Sequence, residues 1–358
     1  MLIDPVGTGY SRATRPEYAA QYYNTDGDTQ AIAQFIRQYL QRYDPALRQP
    51  VFVGGASYGA TRSALIADAA KRHGLHLRGL ILVASLLGNE PRQGYQGVPS
   101  DRGYMLQLPT MTATAFFHKK LAPDLQRNFD EALGQAETWA TNEYPNILAH
   151  ADSLTNEQRQ ASAAQMARLT GLSPEAILGD EFRKPFRIPP DAFLRELFGE
   201  DWMPVGLFDS RILKNDKAAS ESGEIRNPDL AALYLGGELQ FKSEIPYANG
   251  LEDTGANAGW YHDQATNEDL ETISPKAWVR LQRAMRENPS LRVMITNGYF
   301  DLRCPYFGTK TAISQLEPDL RERITVTYLH TGHIQTSEAR PAIAEFIRST
   351  LATSGKND

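Results

Sequence analysis

Short, densely apolar runs alternate with longer amphipathic ones along the first part of this chain. Val51-Phe52-Val53 and Gly79-Leu80-Ile81-Leu82-Val83-Ala84 are continuous apolar runs of strand length, as expected of strands buried on both faces. Ahead of them, Asp26 and Asp28 precede a predicted helix whose apolar positions Ile32, Phe35, Ile36, Tyr39 and Leu40 recur at spacings of three and four. Asp44-Pro45 stops it, because a proline cannot continue a helix. A second helix is predicted from Ala60 to about His73, and Leu2-Ile3 closes a further short apolar run before the turn-rich Asp4-Pro5-Val6-Gly7-Thr8-Gly9. Strand and helix in alternation predict a parallel sheet with crossover helices. The same grammar returns late in the chain: a strand at Leu291 to Thr296, a helix near Tyr306 to Leu316, a strand at Ile324 to Leu329 and a closing helix from about Glu338 to Leu351. With the run at Leu2-Ile3, five parallel strands are expected.

Between Leu87 and Pro289 the strand pattern fades and helix starts take over: Thr155 followed by Gln158, Ser173-Pro174-Glu175, and Ser274-Pro275. The expected architecture is therefore α/β, an α/β-hydrolase core of residues 1–88 and 290–358 whose mostly parallel sheet is interrupted by a mostly helical cap insertion, residues 89–289. The Gly/Asn/Asp-rich part of that insertion, Asn249 to Asn267, reads as loop, with Trp260 and Tyr261 marking packing within it. No internal repeat and no low-complexity segment is present.

Composition narrows the function classes. A chain of 358 residues, 41% of them hydrophobic, buries a large core and is not disordered. The net charge of −6 comes from acids and bases spread along the whole length, so no basic run tracks a phosphate backbone and nucleic acid is not the expected partner. No stretch approaches the roughly 20 apolar residues that span a bilayer. The N-terminal MLIDPVGTGYSRATRP lacks the charged and apolar regions of an export signal, so a cytoplasmic location is expected from these residues alone. The single cysteine, Cys304, excludes an internal disulfide and a zinc site with several thiolates. No metal or organic cofactor is implied, and oligomeric state is left open.

Gly55-Ala56-Ser57-Tyr58-Gly59 is the strongest chemical signal. As a bare G-x-S-x-G match it is weak, but it directly follows the strand Val51-Phe52-Val53 and opens a helix, as a nucleophile elbow requires. The sharp turn strains the serine backbone, and a side chain at either flanking glycine is expected to collide with the neighbouring strand and helix. A serine hydroxyl needs a base to take its proton and a carboxylate to orient that base. Of seven histidines, His330 and His333 lie in Leu329-His330-Thr331-Gly332-His333-Ile334, directly after a predicted strand. Asn297-Gly298-Tyr299-Phe300-Asp301 also follows a strand and supplies a carboxylate at an equivalent loop. Strands of a parallel sheet end at one common edge, and the order Ser57, Asp301, His333 is that of nucleophile, acid and base in α/β hydrolases.

These motifs resemble the serine carboxypeptidases, especially their bacterial members, whose text reads approximately D-Q-P-V-G-T-G-[YF]-S, G-E-S-Y-G, N-G-x-x-D-x-x-C and G-H-M. The matching residues are Asp4 to Ser11, the elbow, Asn297 to Cys304, and Gly332-His333; within the insertion only Val205-Gly206-Leu207-Phe208-Asp209-Ser210-Arg211 is loosely similar. The resemblance implies Ser57 as nucleophile, Asp301 as acid and His333 as base, with no catalytic counterpart for His330. It implies peptide substrates cleaved near the C-terminus through an acyl-enzyme. Gly55, Tyr58, Tyr299 and Cys304 are the candidate oxyanion and substrate-binding residues; Cys304 matches a free cysteine near the substrate pocket of some relatives.

Two departures stand out. The glutamate that precedes the family's nucleophile and helps bind a terminal carboxylate is Ala56, and the Asn-Gly-Gly-Pro-Gly segment, which supplies an oxyanion amide, does not occur. The Tyr58 N–H is then the one evident oxyanion donor, and losing one such donor lowers rates by about 10²–10³. Sequence upstream of Met1 is therefore expected to supply further strands and the oxyanion loop, which would make the location periplasmic or secreted. The alternatives are an esterase or acyltransferase on the same residues, or an impaired homologue that only binds.

Overall fold

A computed structural model of the chain describes residues 1–46, 49–88, 101–179, 184–216, 233–248, 270–335 and 337–352. At its centre is a wholly parallel sheet of four strands, β1 (Val51–Ala56), β2 (Leu77–Val83), β3 (Arg292–Gly298) and β4 (Ile324–Leu329), hydrogen-bonded in the order β1-β2-β3-β4. Residues far apart in sequence meet here, Leu80 opposite Val293 and Leu82 opposite Ile295, and all four of these side chains are buried. That is why the central strands read as unbroken apolar runs. Because the strands are parallel, the segments after β1, β3 and β4 all leave from one edge of the sheet.

The fifth expected strand is absent. Leu2-Ile3 pairs with no strand among the described residues; Leu2 is fully exposed while Ile3 rests against the sheet's core. A strand exists only through its ladder, and a two-residue apolar run carries no information about a partner. The first helix also differs from expectation. α1 (Thr25–Tyr43) starts before Asp26, because the Asn24 side chain accepts the Gly27 N–H at 2.7 Å and caps it. Asp26 and Asp28 therefore sit in its first turn, at the positive end of the helix dipole. Of its apolar stripe Ile32 and Ile36 are buried in the core, next to Ala33, and Leu40 packs against it half-buried, while Phe35 and Tyr39 are exposed. Thr25, Thr29 and Asp28 complete the buried face instead, with Asp28 paired to Arg62 of α2 (Tyr58–Ala69) at 2.5 Å.

Between β2 and β3 lie α3 (Arg102–Phe117), α4 (Phe129–Asn142), α5 (Tyr144–His150), α6 (Asn156–Thr170), α7 (Pro174–Leu178), α8 (Pro190–Phe198) and α9 (Leu270–Glu287). The predicted caps at Thr155, with its reciprocal Gln158 contact, and at Ser173 are both made. The start expected at Ser274-Pro275 falls instead inside α9. α3 is apolar nearly all round and is buried at the heart of a cluster built from α3 to α8. α9 behaves differently, since its Ala277, Leu281, Ala284 and Met285 pack with α2 and the sheet. Asn249 to Asn267, with Trp260 and Tyr261, lies outside the described residues. Between β3 and β4 lie α10 (Tyr306–Ser314) and α11 (Pro318–Arg321), and α12 (Arg340–Ala352) follows β4. Among the described residues no helix is long and apolar enough to cross a membrane.

Candidate active site

β1 ends at Ala56 and α2 begins at Tyr58, leaving Ser57 alone in the turn between them. Its backbone, at φ 57° and ψ −122°, lies in a region that side chains avoid, a strain of about 1–3 kcal/mol that only surrounding structure sustains. The support is visible: Ser57 N–H donates to Val83 O at the end of β2 (2.9 Å), and Ala60 N–H donates to Ser57 O (2.9 Å). A Cβ on Gly55 would stand 2.4 Å from Gly59 O and 2.8 Å from Gly59 Cα, so the turn closes backbone on backbone. A Cβ on Gly59 itself would meet nothing within 4 Å. The expectation that both glycines are sterically required thus holds at Gly55 and fails at Gly59, because it is Gly55 that faces into the turn. Tyr58 opens α2, where the helix dipole presents positive charge, and its ring lies beneath the Arg62 guanidinium at 4.9 Å.

Asp301 follows β3 and is completely buried. Its Oδ1 accepts the N–H groups of Arg303 and Cys304, both at 2.9 Å, while Oδ2 lies 2.7 Å from His333 Nδ1. The carboxylate is therefore held from both sides and aimed at the imidazole. With Nδ1 engaged, Nε2 is the nitrogen left to exchange a proton. His333 is fixed in turn by its own N–H, which donates to Phe208 O at 2.6 Å, and by the edge-on Phe208 ring at 5.4 Å between centroids. Among the described residues Ser57 Oγ makes no hydrogen bond to His333; such contacts often form fully only with substrate bound.

His330, three residues earlier, goes elsewhere. Its ring packs against Phe129 (4.8 Å) and Tyr299 (5.2 Å). Tyr299 belongs to the same aromatic wall, against Phe129, Tyr306 and Tyr328, and burial pushes its phenol above the ordinary tyrosine range. Cys304 is buried, and its Sγ, an Asp301 oxygen and a His333 nitrogen lie within 4.8 Å of one another. A soft cation has donors there, but it would compete with the Asp301–His333 bond for the same atoms. Along β1 a cavity of about 680 Å³ runs past Ile3, Gly54, Ser57, Tyr58 and Arg62.

Sequence reasoning gave no role to Phe208, Asp209 and Arg211. Arg211 Nη1 donates to His330 O (2.8 Å), its guanidinium is gripped by Asp209 and lies over the Phe300 ring, and Ser210 N–H donates to Phe300 O (3.0 Å). This segment thus clasps both the Asp301 and the His333 loops. The signal that could have found it was its similarity to the carboxypeptidases, the only stretch of the insertion that carried one.

A parallel sheet with flanking helices and a strained serine between strand and helix defines the chain as an α/β hydrolase in fold. Residues 2–171 match the family model described as serine carboxypeptidase. The chain is also 29% identical over 107 residues to "Serine carboxypeptidase-like 13" of Arabidopsis thaliana, a match covering 29% of this chain and 24% of that relative. Ser57 falls inside the family match; Asp301 and His333 lie beyond it.

Proposed function

We propose that the chain is a serine carboxypeptidase-like hydrolase that cleaves peptides near their C-terminus through an acyl-enzyme. Ser57 attacks the carbonyl, His333 Nε2 takes the hydroxyl proton and returns it to the leaving amine, and Asp301 holds the imidazole through Nδ1. The Tyr58 N–H, at the start of α2, stabilises the oxyanion. Water then releases the acyl group by the same route in reverse roles. The observation that carries this reading is the 2.7 Å contact between His333 Nδ1 and the fully buried Asp301, at the same sheet edge as the strained Ser57.

A second reading, an esterase or acyltransferase on the same three residues, is favoured by Ala56, which offers no carboxyl group beside the nucleophile. One experiment addresses both. A fluorophosphonate probe is expected to label the protein and not its Ser57→Ala variant, and turnover is then compared for a blocked free-acid peptide, its C-terminal amide and a simple ester. An unlabelled parent protein would make it a binding protein; hydrolysis of the ester alone would favour the second reading. His333→Gln is expected to lower turnover far more than His330→Gln, and the reverse order would exchange their roles.

A further inference from the structure

The two carboxylates nearest the candidate base in the loops around it, Asp209 and Asp301, are both engaged. Asp209 is held by Arg211 through two side-chain bonds of 2.9 and 2.6 Å. Asp301 is occupied by His333 and two backbone amides. Arg303, two residues after Asp301, forms no ion pair with any described carboxylate and is exposed. Its position is nevertheless well fixed: its N–H is bonded to Asp301 Oδ1, and its guanidinium lies over the Phe208 ring at 5.3 Å. That ring is the one whose other contact is the His333 imidazole. A single aromatic ring thus separates an uncompensated cation from the candidate base.

We infer that Arg303 is a substrate-recognition residue that receives a carboxylate of the peptide, deepening and resting on the hydrolase reading above. A guanidinium offers a planar pair of N–H donors matched to a carboxylate, and stacking on Phe208 pre-orders the side chain so that less freedom is lost on binding. An extended peptide advances roughly 3.3–3.6 Å per residue, so a carboxylate within one to three residues of the scissile bond is in range. Two sources share this chemistry, the C-terminal carboxylate and an acidic side chain beside the scissile bond.

The test uses the full chain, Arg303→Gln and Arg303→Lys with four blocked peptides: free acid or amide at the C-terminus, each with glutamate or glutamine before the scissile bond. The parent is expected to favour a carboxylate form in KM by about tenfold, the scale of a charge-assisted hydrogen bond, and the peptide pair showing the preference identifies the source. Arg303→Gln should abolish that ratio, Arg303→Lys should keep part of it, and salt should weaken it because the site is exposed. An unchanged ratio in Arg303→Gln overturns the inference while fluorophosphonate labelling of the parent still upholds the hydrolase reading. If the parent is neither labelled nor active, calorimetric binding of the same peptides to parent and Arg303→Gln decides, and equal affinities overturn the inference.

Discussion

Two glycines two residues either side of one serine have unequal duties. At Gly55 a methyl group would be driven into the Gly59 backbone, which cannot rotate away, whereas at Gly59 it would enter open space. Gly55→Ala is therefore expected to destabilise the protein by about 1–3 kcal/mol, the scale of overpacking, and to disturb Ser57 with it. Gly59→Ala, at a position with an ordinary negative φ near the start of α2, should leave the melting temperature close to that of the parent or raise it slightly. Thermal unfolding of the two variants side by side checks this, and equal losses would mean that the turn closes in some other way. The pentapeptide pattern alone treats both glycines alike.

At the level of elements, the clasp from Phe208 to Arg211 links the candidate site to the helices around it. Gly332 is where it presses hardest: a Cβ there would lie 2.5 Å from both Phe208 O and Asp209 Cβ. Gly332→Ala should displace the His333 loop, and a shift of about 1 Å in a catalytic group lowers rates by roughly 10². The expected result is a fall in kcat well beyond any change in KM or in melting temperature; a loss of stability with kcat intact would count against the clasp as a positioning device. Ser210 in the same segment accepts the Thr114 hydroxyl or donates to it at 2.6 Å, and its carbonyl lies 2.8 Å from His118 Nε2. Burial beside Phe117 and Phe198 pushes His118 below its ordinary value of 6.5, although the Ser210 carbonyl and the charges of Asp209 and Asp216 oppose that shift. A histidine kept neutral by the fold contributes stability above pH 6.5 that is lost as pH falls below it. The melting temperature should accordingly drop on acidification below about pH 6.5, and His118→Gln should flatten that slope; a parallel pair of curves would remove His118 from the account.

For the whole molecule, the Asp301 turn is gripped by two cores at once. Asp301 follows β3, which belongs to the sheet's core, yet its neighbours Phe300 and Leu302 are buried in the helical cluster, where Gln107 of α3 donates to Leu302 O at 3.0 Å. Within the sheet's core, α9 seals α2 through Ala277 and Leu281 and through a two-pronged Arg283–Asp68 pair at 2.7 Å. Leu281 is fully buried, so Leu281→Ala should cost about 2–5 kcal/mol through the lost transfer energy and the cavity left behind. Because α9 packs with the sheet, denaturant unfolding of that variant should shift the signal of the whole sheet core and not that of the cap alone. A loss confined to the cap would place α9 with the insertion, where its sequence position alone had put it.

The central strands β2 and β3 were legible as apolar runs because a strand buried on both faces needs nothing else to announce it, whereas the edge strands β1 and β4 are only half-buried; Ser57 was legible because an elbow is a local arrangement of adjacent residues. The same locality explains the capping of α6 by Thr155 and of α7 by Ser173. What the chain's order could not decide was everything that depends on distance across the fold. Leu2-Ile3 had the right composition for a strand but no ladder to join, and Phe35 and Tyr39 had the right spacing for a core but no facing surface. His330 and His333 are three residues apart and chemically alike; only packing sends one to the aromatic wall and brings the other within 2.7 Å of Asp301. Likewise Arg303 becomes conspicuous only when Asp209 and Asp301 are seen to be engaged elsewhere, since pairing is a property of positions in space and the sequence encodes it only through the fold.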